Sequence, residues 1–190
     1  MRPQLIAAQR EGHNGHMTFA IPERIGWAVD IVAAEGSDSL LEVGCGRGVA
    51  VGLVAPQLTS GRILGLDRSA NAIAAARKRN STWEASGRAS FVHSPLRDLV
   101  GDGNRFDKIF AINVNLFWTD PSAELPVVRK RLKEKGTLYL FYEPPESGRR
   151  QEIADKVAAG FSGSGLVIRK TIVKDVRGSP QLCLIAGLHR

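Results

Sequence analysis

The chain has 190 residues, 43% hydrophobic and 24% charged, which suits one domain over residues 1–190 and excludes disordered and fibrous classes. Its formal net charge of +7 is spread thinly, and the small clusters Arg77-Lys78-Arg79, Arg129-Lys130-Arg131 and Arg149-Arg150 lack interleaved aromatics, favouring solvated helix surfaces over a nucleic-acid groove. No apolar run nears the roughly 20 residues of a membrane span, and two cysteines, Cys45 and Cys183, are too few for a disulfide scaffold or a metal site of their own.

Nothing after Met1-Arg2-Pro3-Gln4 reads as a secretory signal, so the expectation is a cytoplasmic, reduced protein. Residues 1–20 place an apolar patch, Leu5-Ile6-Ala7-Ala8, before Gly12-His13-Asn14-Gly15-His16. Glycine hinges around two histidines allow two readings: a lid over a cleft, with His16 as a candidate base, or a solvated tail. Pro22 to Ala34 then carries Ile25, Val29 and Val32 at helical spacing.

Ser39-Leu40-Leu41-Glu42-Val43 reads as the first strand and ends in glycines. Arg62-Ile63-Leu64-Gly65-Leu66 is the second, ending at Asp67, and Ser69 caps a helix through Ala70, Ile73 and Arg77. Phe91-Val92 marks a third strand and Lys108-Ile109-Phe110-Ala111-Ile112 a fourth. Pro121 suits the first turn of a helix holding Leu125, Val128 and Leu132, which Gly136 ends. Thr137 to Tyr142 is a dense aromatic and β-branched run, the fifth strand. Near the C-terminus, 166–173 and 182–186 are extended runs joined by Arg177-Gly178-Ser179-Pro180. That joint is too short for a crossover, so the last two strands pair antiparallel. The fold class is α/β, a Rossmann-like doubly wound sheet, mostly parallel, with a reversed C-terminal strand.

The chemistry concentrates in Leu41-Glu42-Val43-Gly44-Cys45-Gly46-Arg47-Gly48. Glycines at alternate positions after a strand allow a tight turn and a close ligand approach, and the helix that follows turns its free amides toward that ligand. The spacing is G-x-G-x-G rather than the G-x-G-x-x-G of dinucleotide binders. Asp67, at the end of the next strand, suits two ribose hydroxyls; its alternative is a charge at a helix start. Together they point to a nucleoside-containing ligand.

In these features the chain resembles the class I S-adenosylmethionine-dependent methyltransferases over about residues 23–190, in particular small single-domain members with a type 11/25 core. The resemblance rests on Glu42-x-Gly44-x-Gly46-x-Gly48, on Asp67, on Phe106 to Asn113 with Asn113-Val114-Asn115-Leu116-Phe117-Trp118, and on Arg129–Gly136 before the fifth strand. It implies S-adenosylmethionine as cofactor; the residues themselves lead to no expected metal site. Gly44 and Gly46 would lie against the cofactor's methionine part, with Cys45 a small residue of the same cofactor-binding turn and Glu42 orienting the loop or reaching the amine through water. Asp67 would hold the ribose, with Arg68 beside the adenine. Where the family often has an Asp for the adenine amino group, this chain has Ser94 or Pro95, leaving backbone groups and Leu96. Asn113 sits where the family places the reacting methyl; it would position the acceptor or the cofactor, or close the strand end by bonding backbone. Val114 and Asn115 depart from Asn-Pro-Pro-Tyr, which argues against DNA adenine or protein glutamine as acceptor.

The implied function is methyl transfer by direct displacement to a small-molecule acceptor, with catalytic candidates His16 and Asn113. Trp118 and Phe117 would wall an acceptor pocket or pack under a helix, and Glu143 would touch substrate or stay solvated. A non-catalytic cofactor-binding or nucleic-acid-associated module is the alternative, compatible with the basic balance. A nicotinamide-dependent oxidoreductase predicts a wider third glycine spacing and a parallel sixth strand, and the sequence has neither.

Overall fold

The computed structural model describes residues 21–99 and 103–189. In chain order these form α1 (Glu23–Val32), β1 (Ser39–Val43), α2 (Val49–Val54), β2 (Arg62–Asp67), α3 (Ala70–Arg79), α4 (Ser81–Ala85) and β3 (Ala89–His93). There follow β4 (Phe106–Ile112), α5 (Leu116–Thr119), α6 (Leu125–Arg131), β5 (Leu132–Tyr142), α7 (Arg149–Phe161), β6 (Leu166–Val176) and β7 (Ser179–Leu188). The strands make one sheet in the order β3-β2-β1-β4-β5-β7-β6. The first five pair in parallel, and β7 runs antiparallel between β5 and β6. This is the expected doubly wound sheet with one reversed strand at the end. Strand order reverses between β1 and β4, which opens a crevice at their carboxyl ends.

The central strands are buried on both faces, so they read as continuous apolar runs. Leu41, Val43, Ile109, Ala111, Leu138 and Leu140 join the core under α6 and α7, with Val128, Ile153 and Val157. Their neighbours Leu40, Phe110 and Phe141 turn to the other core with Trp27, Val51 and Ile73 from α1, α2 and α3. Trp27 meets Phe141 edge-on, ring centroids 5.6 Å apart. Phe110 is wholly buried, and truncating it to Ala costs about 3–5 kcal/mol.

Four local expectations change. Pro126, not Pro121, occupies the first turn of α6; the Pro121 carbonyl instead accepts from the amides of Glu124 and Leu125 at 3.0 and 2.9 Å, forming the turn before the helix. The helix stops at Arg131, before Gly136, because Leu132 is already extended and pairs with Phe106; the register then shifts before Lys108 meets Thr137. The hairpin turn is Arg177-Gly178 alone, with φ of 47° and 82°, the doubly positive signature of a type I′ turn. Pro180 lies inside β7, opposite Asp175, where β5 does not yet pair with β7 and no ladder on that side needs its missing N–H. Finally, α7 is additional to the expected helices; Ile153, Val157 and Phe161 are its buried stripe.

Candidate cofactor and acceptor site

The glycine turn is built by backbone conformation and stitched to β2. Gly44, Gly46 and Gly48 have φ of 71°, 52° and 71°, the left-handed region that side chains disfavour. The amides of Gly44 and Cys45 both donate to the Leu66 carbonyl, at 2.7 and 2.9 Å. Asp67 continues the stitching: Oδ2 accepts from the Gly46 amide at 2.8 Å and Oδ1 from the Ser69 amide at 2.9 Å. A Cβ on Gly44 would stand 2.5 Å from Cγ2 of Val114, so only glycine admits this approach of the β1 and β4 loops. The far end of the turn is clamped by Asn80, whose buried Nδ2 donates to the carbonyls of Gly48 (3.0 Å) and Ala76 (2.9 Å).

Glu42 lies beneath this turn and is nearly inaccessible. Burial pushes its carboxyl well above the usual range; the Val51 amide in the first turn of α2 opposes that shift, and the neighbouring Asp67 charge adds to it. Its Oε2 has no hydrogen-bond partner. Glu42 is absent from the cleft lining. Cys45 likewise turns its thiol into the core on the α1 side. Burial, with Glu42 and Asp67 nearby, pushes that thiol upward, and burial alone takes Cys183 up to about 12. Both stay protonated at neutral pH and are poor nucleophiles.

A cleft of about 440 Å³ opens above the turn, inside the usual size range of small-molecule sites, about 300–1,000 Å³. Five residues expected at the cofactor line it: Gly44, Asp67, Arg68, Leu96 and Asn113. Gly46 is outside the lining, and its amide donates a hydrogen bond to Asp67. Ser94 and Pro95, the two residues expected in place of an adenine-side Asp, both line the cleft, and the Ser94 hydroxyl donates locally to the Pro95 carbonyl at 3.0 Å. Arg97 and Glu124 face each other at 3.7 Å at this end.

A second cavity of about 330 Å³ adjoins the first, sharing Asn113 and Asn115 and bounded by Trp118, Tyr142, Glu143 and Arg149. Asn113 hinges the two. It has φ of 55°, its amide donates to the Phe141 carbonyl at 2.8 Å, and its Oδ1 accepts from the Glu143 amide at 2.8 Å. Half of the side-chain amide thus closes the strand end, and the Nδ2 donor remains for a ligand. Trp118 walls the second cavity, whereas Phe117 is wholly buried in the core. Glu143 faces Arg24 at 3.5 Å. His16, with residues 1–20, lies outside the described residues.

Several lining residues were not expected from the sequence. Val114, Leu116, Thr119 and Glu124 line the cleft; all come from the segment between β4 and α6, Glu124 as the N-cap residue of α6. Tyr142 was identifiable as the third residue of the alternation Leu138, Leu140, Tyr142 on the α7 face. Among the described residues no helix is long and apolar enough to cross a membrane. No three potential metal ligands gather among them either.

A family model described as a methyltransferase domain matches residues 40–136, just over half of the chain. A protein of Synechococcus sp., described only as uncharacterised, is 29% identical over 106 residues; these cover 56% of this chain, and the chain spans about a quarter of that relative's length. Among solved structures, the [4+2]-cyclase SpnF superposes with a TM-score of 0.70 at 20% identity, over 86% of this chain and 81% of its own. Magnesium protoporphyrin IX methyltransferase of Synechocystis PCC 6803, with bound S-adenosylhomocysteine, gives 0.67 at 17% identity over 88% and 83%. A methyltransferase of Geobacter sulfurreducens in complex with the same compound gives 0.62 at 13% over 90% and 92%. At these identities the likenesses establish the fold, and the presence of a cyclase among them shows that fold alone does not set the reaction.

Proposed function

The chain belongs to the methyltransferase-domain family, and on that premise we propose that it binds S-adenosylmethionine and transfers its methyl group to a small-molecule acceptor. The observation that carries the reading is the placement of the Asp67 carboxylate, bonded to Gly46, at the wall of a cleft that runs on to Asn113. The residues fit the cofactor's chemistry. A carboxylate with unused lone pairs suits paired ribose hydroxyls. The glycine turn suits a close approach by the methionine part, and buried Leu96 gives the adenine an apolar wall.

Bound S-adenosylmethionine supplies a methyl carbon already made electrophilic by its sulfonium. The chain's own residues then have to orient and enclose. Asp67 and Gly44 fix one end of the cleft, and the Nδ2 of Asn113 is a donor at the junction of the two cavities. Residues 1–20 serve as the cover on the acceptor side in this reading, with His16 as the group that takes a proton from the acceptor.

Calorimetric titration tests the proposal. Saturable binding of S-adenosylmethionine and of S-adenosylhomocysteine, with no binding of NAD, is the expected result. Preferential binding of NAD overturns it.

A further inference from the structure

We infer that the cavity beside Asn113 is a subsite for a small carboxylate-bearing acceptor, held by the Trp118 indole N–H and the Tyr142 hydroxyl. The inference rests on the methyl-transfer reading above and adds the acceptor's chemical class.

Two observations carry it. The first is polar. Tyr142 is 4% exposed, and its hydroxyl and the Nε1 of Trp118 are both buried without a hydrogen-bond partner, while both residues bound the same 330 Å³ cavity. A buried donor left unpaired is costly, about 1–3 kcal/mol, and such groups in native proteins call for an explanation. An indole N–H can only donate. Burial raises the Tyr142 hydroxyl well above its ordinary titration range, so it too is a protonated donor. A ligand that engages these two donors must therefore offer lone pairs, and a carboxylate offers two oxygens; an ammonium offers none.

The second observation is charge. Arg149 bounds the cavity, and Lys156 stands 5.2 Å above the Trp118 ring. These two cations share one carboxylate, Glu152, at 3.2 and 2.7 Å. The other carboxylate at the cavity, Glu143, has its own partner in Arg24. One positive charge is left over beside the cavity, matching a monoanion. Because Asn113 and Asn115 belong to both cavities, a molecule anchored by its carboxylate at Trp118 and Tyr142 extends its other end toward the cofactor cleft.

The test uses the full chain saturated with S-adenosylhomocysteine, with benzoate as probe and benzamide as its uncharged counterpart, followed by ligand-observed NMR titration. Benzoate should bind about tenfold more tightly than benzamide, and Tyr142→Phe and Trp118→Phe should each weaken benzoate by about tenfold, the loss of one bond to a charged group. Melting curves supply an independent readout: Tyr142→Phe in the ligand-free protein should melt no lower than the parent, because it removes a donor that has no partner. Equal binding of the two probes, no binding of benzoate to the loaded protein, or benzoate affinity unchanged in both variants overturns the inference. So does a lower melting temperature for Tyr142→Phe. Failure of S-adenosylhomocysteine itself to bind is a separate result and overturns the methyl-transfer reading instead.

Discussion

The Gly46 amide donates to the Asp67 carboxylate across 2.8 Å, so the side chain proposed to hold the ribose also holds the loop against which the methionine part would rest. Its second oxygen engages the Ser69 amide, at the residue that caps α3 through a 3.2 Å bond to Ala72. In that proposal, ligand grip and loop geometry depend on one carboxylate.

Asp67→Ala should weaken S-adenosylhomocysteine by about 1.5–3 kcal/mol, the range for hydrogen bonds to a charged group, and should also lower the melting temperature, since two amides lose their acceptor. Asp67→Asn keeps one acceptor oxygen and should fall between. Calorimetry and thermal melts on the same preparations separate the two effects. A folded Asp67→Ala protein with undiminished affinity removes Asp67 from the site.

One wall of this cleft was legible in the sequence and the other was not. The apolar run Leu40 to Val43 followed by alternate glycines is a local code, because a chain leaving a buried strand through positive φ at Gly44 needs glycine there. Asp67 was legible by its position at the next strand end. The opposite wall, with Val114, Leu116, Thr119 and Glu124, is assembled by chain reversal after β4, and no spacing rule brings those residue types together. The helix α7 was hidden by its context. It follows Glu143-Pro144-Pro145-Glu146-Ser147-Gly148, and its Arg149-Arg150 start reads as a charge cluster, although Ile153, Val157 and Phe161 keep helical period. Unpaired donors such as the Tyr142 hydroxyl become visible only once every neighbour has a position.

Glu42 gives a pH dependence with a definite sign. Burial favours its neutral form in the folded protein, whereas the unfolded chain ionises near 4.5. Above that value the native state holds a proton the unfolded state has lost, so stability falls as pH rises until the native group ionises too. Glu42→Gln cannot ionise and should escape this decline. Melting temperatures from about pH 4 to pH 9 should show the variant gaining on the parent as pH rises; parallel curves would mean the carboxyl is already charged in the fold.

Asn80→Ala removes the donor shared by the Gly48 and Ala76 carbonyls at a site only 2% exposed. The expected loss is about 1–3 kcal/mol. Urea denaturation should show a lower midpoint at an unchanged slope, the sign of lost stability without a change in the surface exposed.

Deleting residues 1–20 tests the proposed cover. The chain enters α1 beside the second cavity, where Arg24 meets Glu143 and Ile21 leaves half of its surface exposed. Cofactor affinity should be largely retained, while hydrogen exchange at Asn113 and Trp118 should quicken. Exchange identical to that of the full chain would assign the segment no covering role and leave His16 out of the chemistry.

The approach of Val114 to Gly44 also restricts the order in which these two positions can drift. A methyl at 44 collides with the valine, so alanine there is excluded while 114 stays branched and is relieved only once 114 has shrunk. The reverse sequence of steps is open, because trimming Val114 first creates no clash. The pair behaves as a one-way gate in sequence space. Even past that gate, φ of 71° at Gly44 continues to penalise any side chain. Related chains should therefore vary at 114 while holding glycine at 44.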